Sequence, residues 1–285
     1  MRVLVLGVTG MLGNAVFRVF ANDDQHEVWG TMRSEGWRRY FSDFEQTRLM
    51  AGVDALDHYT LVDVISGVRP DVVINCVGLI KQLADARNPL TALPINAMLP
   101  HRLAKLCALA GARLVHISTD CVFSGRKGEY VESDISDAED LYGKSKYIGE
   151  LYDLRHAITL RTSIIGHELS SNNALIDWFL SQEGEIKGYT KAIFSGLPAV
   201  VLAQVMKDFV LPHPDLYGLY HVSAKPIDKR SLLTLVAEVY EKKIRIIPDE
   251  QVVIDRSLSS KRFIEATGYA APEWPDLIRL MHQYR

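Results

Sequence analysis

The chain is poor in cysteine: Cys76, Cys107 and Cys121 are the only three in 285 residues, an odd number without metal-ligand spacing. That excludes a disulfide framework and a thiolate metal centre, and it points to a reducing compartment. No uninterrupted apolar run of about 18 residues occurs, so no membrane-crossing helix is expected. The opening apolar run, Met1 to Gly7, is too short for a secretory signal. An excess of positive charge is also missing. The 32 Lys and Arg against 35 Asp and Glu leave a net charge of −3, so no basic field draws nucleic acid or an anionic membrane. Low-complexity stretches, linkers and internal repeats are absent. What remains, 48% hydrophobic and 24% charged residues, suits a cytoplasmic globular protein able to bury a large core.

The first structured stretch is apolar from Arg2 to Leu6 and ends in Gly7-Val8-Thr9-Gly10-Met11-Leu12-Gly13. A helical pattern follows through Ala15, Val16, Val19 and Phe20. A buried strand, a glycine turn and a helix N-terminus cradle a pyrophosphate, because the turn admits close approach and the helix end offers free N–H groups. The spacing, Gly-x-x-Gly-x-x-Gly, marks Gly7, Thr9, Gly10, Met11, Leu12 and Gly13 as cofactor-binding candidates. His26 to Thr31 reads as a second strand. The carboxylate that would take the adenine ribose hydroxyls of NAD is missing after it, and Arg33 stands there instead. A guanidinium favours a 2′-phosphate, so NADP(H) is the preferred cofactor and NAD(H) the second choice. Arg38 or Arg39 would serve equally.

Val53 to Asp57 reads as a short third strand, with Asp54 placed to reach the adenine amino group. Thr60 to Gly67 reads as a crossover helix. Asp71 to Gly78 reads as a fourth strand whose small end, Cys76, Val77 and Gly78, leaves room for a ligand. Pro94 to Ala110 is a helix carrying Asn96, read as a cap. Arg113 to Ser118 is a fifth strand, and the hydroxyls of Ser118 and Thr119 at its end are expected to face the crevice. His116 within it reads as core. Ala157 to Gly166 is a sixth strand. Strict alternation of strands and helices predicts an α/β chain with a Rossmann-type, doubly wound parallel sheet over residues 1–166. Residues 167–285 are read as a smaller C-terminal α/β substrate lobe, some of whose segments return to the main domain.

Tyr142 and Lys146 lie four positions apart in Tyr-Gly-Lys-Ser-Lys. The run from Ser145 to Leu154 looks helical, which puts phenol and ammonium on one face. A phenol titrates near pH ~10, and a nearby cation lowers that value, making a general acid or base of it. A surface tyrosine on a basic helix would show the same spacing, so the surroundings decide.

Taken together, the motifs resemble the extended short-chain dehydrogenase/reductase family, most closely its dTDP-4-dehydrorhamnose reductase branch. The resemblance rests on Gly7 to Gly13, Asp71 to Gly78, Ser118-Thr119-Asp120-Cys121-Val122-Phe123-Ser124-Gly125, Tyr142 with Lys146, and Leu160-Arg161-Thr162. It continues more loosely in Phe194 to Pro198 and Gly218 to Ser223. The branch usually has tyrosine where Cys121 stands. The 4,6-dehydratases of the family carry Thr-Asp-Glu in this loop, and here no second carboxylate follows Asp120.

The resemblance implies NADPH-dependent reduction of the 4-keto group of a nucleotide-linked deoxysugar, in the making of cell-surface polysaccharide. Tyr142 would donate the proton and Lys146 would bind the nicotinamide ribose. Thr119 would hydrogen-bond the reacting oxygen, with Ser118 as a lesser choice. Asp120, Lys81 and Arg256 would touch the substrate, with Lys81, Lys191 and Arg256 as candidates for its diphosphate. A homodimer is expected by analogy with the family. The rival functions are a nucleotide-sugar epimerase and a non-catalytic, NADP-binding regulatory subunit.

Overall fold

A computed structural model describes residues 1–80 and 87–284. Six strands come first: β1 (Arg2–Leu6), β2 (Glu27–Thr31), β3 (Leu49–Met50), β4 (Val72–Asn75), β5 (Arg113–Thr119) and β6 (Ala157–Thr162). Their connecting helices are α1 (Met11–Ala21), α2 (Asp43–Gln46), α3 (His58–Val68), α4 (Pro89–Ala92), α5 (Leu99–Ala110) and α6 (Leu141–Ile148). The C-terminal part adds β7 (Ile164–Ile165), α7 (Leu175–Ser181), β8 (Glu185–Tyr189), β9 (Ala192–Phe194), β10 (Leu197–Pro198), α8 (Ala199–Val205) and β11 (Gly218–His221). After these come β12 (Ile227–Asp228), α9 (Lys229–Val239), β13 (Arg245–Asp249), β14 (Ile254–Asp255), α10 (Lys261–Thr267) and α11 (Trp274–Gln283).

Seven strands form one parallel sheet in the order β11-β6-β5-β4-β1-β2-β3. This is the doubly wound arrangement, with its order reversing between β1 and β4. Val3 to Leu6 and Val72 to Ile74 are fully buried, because helices cover both faces and leave no polar side to alternate with. Leu4, Leu6 and Leu114 pack towards α3 and α5, while Val3, Val5 and Val115 pack towards α1 and α8. The second of these cores runs without a break from Phe17 and Phe20 to Val236 and Ile278. Residue 166 is therefore not a gap in the packing, and β11 carries the chain back to pair with β6. Among the described residues no helix is long and apolar enough to cross a membrane.

The third strand, the helix bearing Tyr142 and the helix bearing Asn96 differ from the sequence expectation. The third strand is Leu49–Met50 rather than Val53–Asp57. Val53 is buried and its N–H bonds to Met32 O at 3.1 Å, but Asp54 turns the chain by accepting from Leu56 N, and Asp57 caps α3. The helix bearing Tyr142 runs from Leu141 to Ile148 rather than from Ser145 to Leu154. Asp140 starts it by accepting from Gly143 N at 2.8 Å, an N-cap that satisfies an otherwise orphaned donor.

The expected helix from Pro94 to Ala110 is divided. Leu93–Met98 forms a π-turn between α4 and α5. Pro94 supplies no N–H, which weakens the α ladder there, and such turns re-aim side chains.

Candidate active site

The carboxyl ends of β1, β4, β5 and β6 open on one crevice. At β1, the glycine turn lies against the end of β4. A Cβ on Gly13 would come within 2.1 Å of Gly7 O, and one on Gly7 within 3.0 Å of Val77 Cγ2. Only a residue without a side chain lets the helix approach the turn so closely. Gly10 is the N-cap of α1 and no side chain caps that end, so its first N–H groups stay available to an anion. Gly7, Thr9, Gly10, Met11, Leu12 and Gly13 therefore form a cradle that fits a pyrophosphate. Cys76, Val77 and Gly78 form the facing wall. Burial pushes the Cys76 thiol up to about 12, so it stays neutral.

At the adenine end the three arginines separate. Arg38 bonds Glu35, Gln46 O and Leu49 O. Arg39 lies against the ring and hydroxyl of Tyr40. Arg33 is exposed at the end of β2 and has no hydrogen bond or ion pair among the described residues. Of the three, Arg33 is thus the guanidinium left to meet a 2′-phosphate. Asp54 stays exposed near this rim, on the turn that Val53 ties to Met32. Replacing Arg33 with Ala is expected to weaken NADPH binding about ten- to a hundredfold, the value of a charge-assisted hydrogen bond. NADH binding, measured in the same fluorescence titration, should change little.

At the catalytic end, β5 delivers Thr119 and α6 delivers Tyr142 and Lys146. A Cβ on Gly143 would sit 2.2 Å from Cys121 O. That close contact docks α6 on the turn after β5 and sets Tyr142 beside Thr119 and Cys121. Thr119 Oγ1 donates to Asp120 at 3.2 Å and accepts from Cys121 N at 3.1 Å. Lys146 is buried, and its Nζ donates to Ile117 O at 2.7 Å. It lies 3.9 Å from where a Cβ on Gly78 would be. Lys146 thus lies beside the β4 wall, while Thr119 and Tyr142 stand at the end of β5 and the start of α6.

The protonation pattern departs from the expected one. Burial, followed by the neighbouring Cys121, raises the Tyr142 phenol above its ordinary value of 10.0, whereas the sequence suggests that Lys146 lowers it. Burial also lowers Lys146, to about 8, against the pull of Glu150 and Cys76. The phenol therefore holds its proton and is set to give it.

Ser118 does not face the crevice. Its hydroxyl donates to the buried Glu150 at 2.5 Å, because adjacent strand residues point to opposite faces and Thr119 takes the crevice side. Glu150 also accepts from both ends of the Arg161 fork, at 2.9 and 2.6 Å, and from the Tyr152 hydroxyl at 2.5 Å. Arg161 Nη1 donates to His221 Nε2 at 2.9 Å. Nδ1 of that ring therefore carries the hydrogen and donates to Tyr130 O at 3.0 Å. Burial and the Arg161 charge lower His221 to about 3, which keeps it neutral. Asn96, expected as a cap, sits buried in the π-turn, where Oδ1 accepts from Leu79 N at 2.9 Å and Nδ2 donates to Ser145 at 3.2 Å.

On the substrate side, Asp120 is buried. Burial raises its carboxyl, while Arg256, Cys121, Thr119 and Lys229 pull it down. Arg256 Nε donates to Phe123 O at 2.7 Å, with Nη1 3.9 Å from Cys121 Sγ. Lys191 is exposed and paired with Glu250 at 2.7 Å. Lys81 lies outside the described residues. Lys229, not singled out in the sequence, joins this group; its place at the start of an ordinary helix gives no sign of that.

The fold defines a Rossmann-type α/β protein, a seven-strand parallel sheet with flanking helices. Residues 1–243 match the RmlD substrate binding domain family, and the chain belongs to that family, the dTDP-4-dehydrorhamnose reductase-like branch of the extended short-chain dehydrogenase/reductases. It is 36% identical over 149 residues to methionine adenosyltransferase 2 subunit beta of Bos taurus, a match covering 52% of this chain and 41% of that protein. The chain thus spans less than half the length of that relative. It is 26% identical over 234 residues to dTDP-4-dehydrorhamnose reductase of Aggregatibacter actinomycetemcomitans, covering 79% of this chain and 74% of that one. The structure of dTDP-4-dehydrorhamnose reductase from Bacillus anthracis in complex with NADP superposes with a TM-score of 0.81, over 99% of both chains at 22% identity. That likeness carries the fold.

Proposed function

We propose that the protein reduces the 4-keto group of a nucleotide-linked deoxysugar with NADPH, as a step in making cell-surface polysaccharide. What supports this reading is a close-packed glycine turn against β4, with Lys146 beside Gly78 on that wall and Thr119 next to Tyr142 at the ends of β5 and α6. The cradle residues would hold the pyrophosphate of NADPH, which when bound supplies the hydride for carbonyl reduction. Tyr142, kept protonated by burial, gives its proton to the oxygen that becomes an alkoxide. Thr119 orients that oxygen and stabilises its growing charge. Lys146, held by Ile117 O, presents its ammonium to the cofactor ribose.

The test is to mix the protein with NADPH and a panel of 4-keto-6-deoxy nucleotide sugars and follow absorbance. Stoichiometric oxidation is expected with at least one, at a rate that declines as pH rises through about 8, where Lys146 loses its charge. Conversion of a sugar without net NADPH consumption would assign an epimerase instead. A second reading is favoured by the 36% identity to a protein named as a subunit of methionine adenosyltransferase. There the chain would be a non-catalytic NADP-binding subunit. Inertness towards every keto sugar, with a partner enzyme copurifying, would establish it.

A further inference from the structure

After β6 the chain passes through β7 and returns to α7 by way of residues 166–174, a segment with no helix or strand of its own. Such a segment is ordinarily mobile, yet side chains tie this one down. Its first residue touches the glycine cradle. A Cβ on Gly166 would lie 3.2 Å from Met11 Sδ and 3.3 Å from Ala199 Cβ, so the segment closes tightly on the residue that opens α1. His167, which follows, is held at both ring nitrogens. Nδ1 lies 2.6 Å from Asp177 Oδ1 on α7, and Nε2 lies 2.8 Å from the Tyr240 hydroxyl just past α9. A carboxylate only accepts, so Nδ1 carries a hydrogen; the hydroxyl gives or takes, and satisfies Nε2 in either state of the ring. His167 and Asp177 are both largely buried. The other Asp177 oxygen accepts from Glu168 N at 2.6 Å, and Glu168 Oε2 accepts from Asn173 N and Ala174 N at 2.7 and 2.8 Å. The His282 ring of α11 braces Tyr240, with centroids 4.4 Å apart. Elements α7, α9 and α11 thus fix one short strap beside the end of α1 that no side chain caps.

We propose that His167 is a positioning residue for the dinucleotide: by holding residues 166–174 against Met11, it keeps the lobe side of the pyrophosphate groove in its binding shape. The proposal rests on the reading of the glycine turn as a cofactor cradle, and is independent of which carbonyl is reduced. Without the ring, Asp177 loses one of its two partners and Tyr240 is no longer tied to the strap. The strap then has to be ordered each time a cofactor enters, and that entropy is subtracted from the affinity. The adenine end, where Arg33 stands after β2, is built separately and is untouched.

The test is calorimetric titration of the full chain with NADPH and, separately, with adenosine 2′-phosphate, which carries the adenine end of the cofactor without its pyrophosphate. His167→Ala should weaken NADPH about tenfold, the value of one or two neutral hydrogen bonds, and leave adenosine 2′-phosphate unchanged. Arg33→Ala, in contrast, should weaken both. His167→Asn, whose amide nitrogen replaces Nδ1 at Asp177, should bind NADPH within a few-fold of the wild type. Tyr240→Phe keeps its ring, should lose a few-fold, and serves if His167→Ala does not fold. Unchanged NADPH affinity in His167→Ala, or in Tyr240→Phe where that variant replaces it, overturns the proposal. So does a His167→Asn as weak as His167→Ala, or an equal loss of both ligands, which would be general damage. A wild-type chain that binds neither ligand overturns the cofactor reading, and the proposal with it.

Discussion

Tyr142→Phe is expected to lower turnover about 10²- to 10⁴-fold, the usual contribution of a general acid. The substitution removes one oxygen and keeps the ring that fills the pocket. The cradle at Gly7 to Gly13 is made elsewhere, and Lys146 keeps its bond to Ile117 O. NADPH should therefore bind with unchanged affinity while the chemical step fails. The measurement pairs an NADPH titration with steady-state rates on the best keto sugar. Loss of both together would mean a damaged fold, and full activity would show that the proton comes from elsewhere. The phenol is raised by burial, so the wild-type protein keeps it protonated across the neutral range. The expected fall in rate near pH 8 is assigned to Lys146, so the residual rate of Tyr142→Phe should keep it. A residual rate flat through pH 8 would move that titration to Tyr142.

Much of this was legible in the sequence because the main sheet is buried on both faces. Arg2 to Leu6 reads as a continuous apolar run with the glycine turn directly after it, and Asp71 to Gly78 reads as a strand with a small-residue end. The third strand was not legible. Leu49 and Met50 make only two residues of pairing, and β-branched Val53, buried in the turn that follows, draws the strand reading to itself. The start of α6 could have been found, since Asp140 precedes Gly143 at N-cap spacing. Ser118 and Thr119 were separable by strand alternation alone, which allows one of two neighbours to face the crevice. Arg38 and Arg33 were not separable, because what removes Arg38 is its bonds to Gln46 O and Leu49 O, both made by folding.

Arg161→Met should give the largest loss of stability, about 3–5 kcal/mol, as expected when one partner of a buried ion pair is removed. Arg161 and Glu150 are 1% and 0% exposed at the side chain, so water cannot replace the missing guanidinium. The Glu150 carboxylate would keep only the hydroxyls of Ser118 and Tyr152. His221 would lose the donor at Nε2, and Phe123 the cation stacked 4.9 Å over its ring. For a domain of this size the melting temperature should fall on the order of 10 °C. Thermal and urea unfolding would measure it, and a loss below about 1 kcal/mol would show that the pair is not uncompensated when broken. Arg161→Met combined with Glu150→Leu removes both charges, and well-packed apolar residues often match a buried pair in stability. The double variant should therefore recover much of the loss.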